Sequence, residues 1–84
     1  MEDLSSNDKL ILLQYAINKY EKEDILTKKL QTILQQKDID RSIAMLIATQ
    51  QVRRIGSDVL QNNVSHIGEL PELPSHLKSI IDDL

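Results

Sequence analysis

The side chains able to perform chemistry are few in this 84-residue sequence, and their spacing matches no known reactive pattern. The two histidines, His66 and His76, are ten residues apart, a spacing that fits no zinc site. A metal ion would need two further ligands from elsewhere in the chain, and the sequence contains no cysteine. We therefore interpret both histidines as surface residues and expect no metal and no cofactor.

Two carboxylate pairs, Asp38 with Asp40 and Asp82 with Asp83, are the candidates for acid–base chemistry. Such catalysis needs two carboxylates in different environments inside a cleft. The first pair lies at a predicted helix start, where the helix dipole favours negative charge, and we expect the second pair to be solvated. The sequence offers no glycine-rich phosphate loop and no Ser/His/Asp arrangement that can be placed. It therefore predicts a protein that is not an enzyme.

Two basic doublets, Lys28-Lys29 and Arg53-Arg54, are the candidates for contact with a phosphate backbone. A helix-turn-helix protein carries such residues on a short recognition helix after a turn. Here the arginines fall between Val52 and Ile55 inside a predicted long helix, and Asp58 is in reach of the second arginine. Because the net charge is also −3, the sequence predicts that nucleic acid is not a partner.

The composition predicts one small domain, residues 1–84, with a flexible tail over residues 1–5. Hydrophobic residues make up 40% of the chain but only two residues are aromatic, so the core must be aliphatic. The absence of cysteine favours a reducing, intracellular setting. The longest apolar stretch, residues 10–13, is far shorter than the roughly twenty residues of a membrane span, and the acidic N-terminus is unlike a signal peptide. We expect a cytoplasmic protein without a transmembrane segment.

Apolar spacing of three and four residues predicts an all-α fold, with helices near residues 6–21, 24–37, 39–62 and 74–83. Ser5 or Ser6 can cap the first helix, and Asp8 has the spacing of a capping box with Ser5. The apolar stripe changes its phase across the polar residues 21–24. The first two helices are therefore either separate or one kinked helix, and Asp24 is a suitable cap for a separate second one.

The predicted third helix is the longest element and carries apolar residues on two sides, which is typical of a helix packed by neighbours all round. Leu46 and Ile55 are assigned to the core, so replacing either with alanine should cost roughly 2–5 kcal/mol. Gly56 lies inside this helix, where glycine costs about 1 kcal/mol relative to alanine. Residues 64–73 form a predicted packed loop, and Pro74 suits the first turn of the last helix. The expected fold class is all-α, with four helices and a long central third helix.

Three stretches carry a resemblance to a known family: IAMLI at 43–47, VLQNN at 59–63 and LPEL at 70–73. With a helical hairpin, a long helix ending near an asparagine and a proline-containing loop before a terminal helix, they resemble the enterocin A type of bacteriocin immunity protein, which acts against pediocin-like bacteriocins. The resemblance covers about residues 10–84. It implies a small antiparallel four-helix bundle that protects a producer cell without catalysis, and we expect a monomer or a dimer.

The resemblance also implies a partner and a place of action. Members of this family act from the cytosol on a bacteriocin bound to its membrane receptor, a mannose-type sugar permease. Their C-terminal half tends to set which toxin is resisted, and this half corresponds here to the end of the third helix, residues 64–73 and the last helix. We predict partner contacts at surface residues of this half: Arg53, Arg54, His66, Glu69, Glu72, His76 and Lys78.

A small helical adaptor is the alternative that the sequence leaves open, for example an antitoxin, a secretion co-chaperone or an anti-regulator. Such a protein would bind its partner through an exposed apolar groove. Leu4, Ile11 and Tyr15 lie off the main stripe of the first helix and are the candidates for that surface. A neighbouring bacteriocin gene would favour immunity, whereas a toxin or secretion operon would favour the adaptor.

Overall fold

The computed structural model describes residues 4–84, and this part of the chain combines five helices with a two-stranded antiparallel sheet. In chain order the elements are α1 (Ser6–Tyr20), α2 (Glu23–Leu30), α3 (Gln36–Ala48), β1 (Val52–Ile55), β2 (Val59–Asn62), α4 (Val64–Ile67) and α5 (Ser75–Asp83). The expected all-α four-helix bundle is wrong. A β-hairpin occupies the segment over which the sequence predicts the third helix to continue.

The predicted third helix ends early because the backbone after Ala48 leaves the helical conformation. Gln50 has a φ of 63°, a left-handed value that a helix cannot propagate through. Its N–H donates to the Ile47 carbonyl at 3.0 Å. This hydrogen bond spans three residues, as in a 3₁₀ turn, whereas those of the helix interior span four. The chain then enters β1 in an extended conformation.

The β1–β2 hairpin is a regular antiparallel pair. Its register places Val52 opposite Asn62 and Ile55 opposite Val59. Gly56 follows β1 with a φ of 72°, which glycine adopts without steric cost, and a Cβ at this position would meet no atom within 4 Å. The glycine that costs stability inside the predicted helix is therefore the residue that allows the chain to turn.

The first two helices are separate, which answers the question that the sequence leaves open. Glu21, directly after α1, has a φ of 63°, and Lys22 is extended and forms a β-bridge with Val59. The Leu60 N–H donates to the Glu21 carbonyl at 2.8 Å. The connection between α1 and α2 thus lies beside β2 as a third, very short extended segment.

The central element is α1 rather than the predicted third helix. It packs against α2, α3, β2 and α5, and this packing buries six of its residues. The main core contains Leu13, Ala16, Ile17, Leu26, Leu30, Leu34, Ile39, Ile43, Leu46, Val52 and Leu60. A second cluster, with Ile11, Leu12 and Leu77 buried, joins α1 to the C-terminal segment.

The start of α1 is the predicted one. Ser5 is the N-cap: its Oγ accepts from the Asp8 N–H at 3.0 Å, and its own N–H donates to Asp8 Oδ2 at 3.2 Å. The Ser5 N–H and the neighbouring His76, whose Nε2 lies 3.3 Å from Asp8 Oδ2, lower the pKa of this carboxyl. Leu4 is half-buried against the core. Residues 1–3 of the predicted flexible tail lie outside the described residues.

The C-terminal segment covers one side of α1. Leu77 of α5 is buried against α1, and the Tyr15 hydroxyl donates to the Pro71 carbonyl at 2.6 Å. The Tyr20 hydroxyl donates to the Leu84 carbonyl. Leu4, Ile11 and Tyr15, the surface expected for an adaptor, all belong to this second cluster or pack against it. The segment therefore covers that surface.

Residues 4–84 contain neither a membrane-spanning helix nor a cluster of metal-ligating side chains. No helix there is both long enough and apolar enough to cross a membrane. No group of three or more His, Asp or Glu side chains is placed to hold a metal ion, and the two histidines lie on different helices, α4 and α5.

Candidate nucleic-acid interface

The exposed side of α3 carries a row of residues that point away from the core. Ile39, Ser42, Ile43 and Leu46 are buried on the inner side of this helix. Opposite them, at helical spacing, lie Lys37, Arg41, Ala44 and Ala48, which are all exposed and which we name the α3 row. The row is basic in its first half and has small side chains in its second half. Within the described residues, neither Lys37 nor Arg41 belongs to an ion pair.

A short turn, residues 31–35, positions α3 relative to α2. Leu34 in this turn is buried in the main core, and the Thr32 hydroxyl donates to the Lys29 carbonyl at 2.8 Å. Both helices pack against α1. Lys28 and Lys29 lie in the last turn of α2 and are exposed. The basic residues at the end of α2 and at the start of α3 therefore lie on either side of one turn.

Three polar side chains are hydrogen-bonded in a chain at the start of α3. Gln31 in the turn donates from its amide to the Gln36 carbonyl oxygen. Gln36 Nε2 donates in turn to Asp40 Oδ1 at 2.8 Å. All three residues are exposed, so this network presents its remaining polar atoms to solvent next to the α3 row.

The hairpin places two arginines beside the helices. The Arg54 guanidinium donates to both carboxylate oxygens of Glu23, at 2.8 and 3.1 Å, and so ties β1 to the start of α2. This bidentate contact lowers the pKa of Glu23 and raises that of Arg54. Arg53 is exposed on the neighbouring position, and its guanidinium donates at 3.5 Å to the side-chain oxygen of Gln61.

We expect the Glu23–Arg54 pair to make stability depend on pH. Because the pKa of Glu23 is lowered by folding, its contribution is present above about pH 4.3 and is lost as the pH falls through the folded pKa. Both side chains are about one-third exposed, so the contribution should not exceed about 1 kcal/mol. The difference in unfolding free energy between wild type and Arg54→Ala, measured with urea, should therefore be larger at pH 7 than at an acidic pH below the folded pKa of Glu23.

Arg53→Ala is the matched control for this pair, because Arg53 takes part in no ion pair within the described residues. Its unfolding free energy should stay parallel to that of wild type from neutral to acidic pH. If the difference between wild type and Arg54→Ala were the same at both pH values, the ion pair would contribute nothing to stability.

A groove of about 470 Å³ separates α3 from the hairpin. Its apolar lining comes from α3: Ile43, Ala44, Ile47 and Ala48. Its charged lining comes from three elements: Glu23, Asp40 and Arg54. Only the second half of the α3 row, Ala44 and Ala48, therefore lines this groove, whereas Lys37 and Arg41 do not.

The structure does not gather the predicted contact residues into one site. Arg53, Arg54, His66, Glu69, Glu72, His76 and Lys78 are all exposed. Three of them, Arg53, Arg54 and Glu69, line three different cavities. His76 lies against Asp8 of α1 instead. As partner contacts, these seven residues stay a prediction, and so does the absence of enzymatic activity.

Sequence reasoning did not single out Gln36, Lys37 or Arg41 as functional residues. The signal available was the four-residue spacing of the two cations, each out of phase with the apolar residues of α3. The predicted second helix, 24–37, obscured this signal because it assigned Lys37 to the end of the wrong helix. In the structure α2 ends at Leu30 and α3 begins at Gln36.

The net charge of −3 is distributed unevenly along the chain. Residues 4–63 contain nine Lys or Arg and seven Asp or Glu, which gives this part a net charge of +2. Residues 64–84 contain one lysine and four acidic residues, which gives −3, and Glu2 and Asp3 contribute the remaining −2. The three helices and the hairpin are thus basic, and the segment that packs on the other side of α1 is acidic.

Comparison with known protein families, curated proteins and solved structures finds no match to this chain. Only the order of elements therefore bears on the class of protein. The helices α2 and α3 are joined by the turn at residues 31–35, and the β1–β2 hairpin directly follows α3. The resemblance to bacteriocin immunity proteins stays a prediction from sequence.

Proposed function

We propose that this protein binds double-stranded DNA, with α3 in the major groove and the β1–β2 hairpin beside it. The observation that carries the proposal is the α3 row, because it is exposed, begins with two cations outside ion pairs and follows a helix-turn-helix connection. The major groove of B-DNA, about 12 Å wide, admits one α-helix. In helix-turn-helix proteins the N-terminal residues of the second helix contact base edges.

The prediction that nucleic acid is not a partner rested on two premises, and neither holds for residues 4–63. The first placed Arg53 and Arg54 within a helix, whereas both lie on β1 of an exposed hairpin. The second was the net charge, but residues 4–63 alone carry +2. Lys28, Lys29, Lys37, Arg41 and Arg53 are exposed cations available for phosphate oxygens. A cytoplasmic location remains part of the proposal.

The direct test is the binding of labelled duplex DNA of random sequence, followed by fluorescence anisotropy at several salt concentrations. We expect a Kd of about 10⁻⁴–10⁻⁶ M near physiological salt, as is typical of binding without a specific site. The logarithm of the association constant should fall linearly with the logarithm of the salt concentration, with a slope of about −0.9 for each phosphate contacted. Selection from random duplexes should then enrich one sequence.

The control is a single-stranded oligonucleotide of the same composition, which lacks the major groove and should bind more weakly. Equal affinity for both forms would show a general electrostatic attraction rather than docking of α3. The absence of salt-dependent binding to any duplex at about 50 mM salt would overturn the proposal.

A protein-binding adaptor is a second candidate, and the groove between α3 and the hairpin favours it. Four apolar residues line this groove, and Met45 and Ile55 nearby in sequence are 47% and 43% exposed. An adaptor would form a stable stoichiometric complex with one soluble partner, measurable by light scattering after size exclusion. Such a complex together with the absence of DNA binding would favour the adaptor.

Bacteriocin immunity remains a separate proposal, supported by the sequence stretches 43–47, 59–63 and 70–73. It holds that the protein, without catalysis, acts from the cytosol on a bacteriocin bound to its membrane sugar-permease receptor. Expression in a bacteriocin-sensitive cell should then raise resistance to one peptide and leave unrelated toxins unaffected. No protection against any member of a toxin panel would reject it.

A further inference from the structure

The amide of Gln36 is held in one orientation by its two neighbours. Asp40 lies one helical turn further along α3, and its Oδ1 accepts from Gln36 Nε2 at 2.8 Å. Because an ionised carboxylate only accepts hydrogen bonds, it selects the amide orientation that presents nitrogen to it. In that orientation the Gln36 carbonyl oxygen accepts from Gln31 Nε2.

The network uses only half of the hydrogen-bonding capacity of Gln36. A side-chain amide has two N–H donors and a carbonyl oxygen with two lone pairs. One donor is bonded to Asp40 and one lone pair accepts from Gln31. One N–H and one lone pair therefore remain outside this network, on an exposed residue at the start of α3.

A donor and an acceptor side by side match one base in the major groove. Adenine presents the N7 acceptor and the N6 amino donor there, and glutamine pairs with both atoms. Guanine presents two acceptors, N7 and O6, so the Gln36 carbonyl oxygen would face O6 without a proton between them. Since Asp40 holds the amide nitrogen, the amide cannot reverse its orientation without losing this hydrogen bond.

We propose that Gln36 is a specificity-determining residue that reads an adenine, and that Gln31 and Asp40 are its positioning residues. This inference rests on the proposed function, because it requires α3 in the major groove. Lys37, the next residue, is exposed in the α3 row and is available for the adjacent phosphate or base. The network adds selectivity rather than bulk affinity, because it brings no net positive charge.

The test uses the duplex enriched by selection, in which each adenine is replaced in turn by 7-deazaadenine, which lacks the N7 acceptor. At one position this replacement should weaken wild-type binding about fivefold to 150-fold, the range of a bidentate base contact. Gln36→Ala should bind the unmodified and the modified duplex equally at that position. In Asp40→Ala and in Gln31→Ala the Gln36 amide is less firmly held. In each variant, the affinities for the unmodified and the modified duplex should therefore differ less than in wild type.

Gln35→Ala is the matched control, because this neighbouring exposed glutamine makes no side-chain capping bond and takes no part in the network. It should retain the full sensitivity to 7-deazaadenine. If duplex DNA is bound but no adenine position depends on Gln36, the inference is wrong and the proposed function stands. If no duplex is bound at all, the proposed function fails and this inference fails with it.

Discussion

Replacing Leu46 with alanine is expected to lower the free energy of unfolding by about 2–5 kcal/mol. Leu46 is completely buried on the inner face of α3, within the main core. Truncation removes apolar contacts and leaves a cavity that the surrounding helices fill only in part. A domain of this size has little more stability than this loss, so the variant should be largely unfolded at 37 °C. Urea unfolding followed by circular dichroism measures the change.

Ile55→Ala is the matched comparison, because the four-helix prediction and the structure disagree about this residue. The predicted third helix places Ile55 in the core, whereas in the structure it ends β1 and is 43% exposed. Its replacement should change stability by no more than about 0.5 kcal/mol. A loss of 2 kcal/mol or more, as expected of a core residue, would support the long helix and contradict the hairpin.

The sequence predicted α1 correctly because its signals are local. The capping box at Ser5 and the apolar spacing along the helix both act over a few residues, and both are present in the structure. The hairpin was missed because Met45, Ala48, Val52, Ile55 and Val59 happen to follow helical spacing across two different elements. A short apolar pattern can fit both the helical period of about 3.6 residues and the strand period of two. The packing of the segment in the folded protein decides between them, and the sequence pattern does not show this packing.

The turn after α3 was hidden for a different reason. Gln50 adopts a positive φ although it is neither glycine nor asparagine, the residues that usually mark such a position. Gly56 did carry a signal, because glycine is unfavourable inside a helix and favourable in a hairpin turn. Its placement inside a helix followed from the helix already assumed around it.

The candidate interface was missed because charge was averaged over the whole chain. A net charge of −3 excludes a phosphate partner only if the charges are evenly spread, and here the acidic excess of residues 64–84 lies in the segment that packs on α1. Arg53 and Arg54 were noticed as a doublet, but their placement on a strand depends on the hairpin. Lys37 and Arg41 became recognisable as a pair only with the true start of α3.

Reversing both charges of the α3 row, in Lys37→Glu/Arg41→Glu, should weaken duplex binding by a factor of about 100 or more. Each basic contact to a base or phosphate is worth about 1–3 kcal/mol, and two are removed and replaced by repulsive carboxylates. Both residues are exposed and outside ion pairs within residues 4–84, so the fold should tolerate the change. Thermal unfolding confirms the fold, and anisotropy with the enriched duplex measures the affinity.

The control double variant, Lys19→Glu/Lys78→Glu, changes the net charge by the same amount at the end of α1 and on α5. It separates docking of α3 from a general effect of charge, because long-range attraction depends on net charge whereas contacts depend on position. We expect its affinity to fall less than tenfold and its salt slope to stay that of wild type. The salt slope of the α3 variant should be less steep by about 1.8, since each lost phosphate contact reduces its magnitude by about 0.9. Equal losses of affinity in the two double variants would mean that α3 does not enter the groove, and the proposed docking would be wrong.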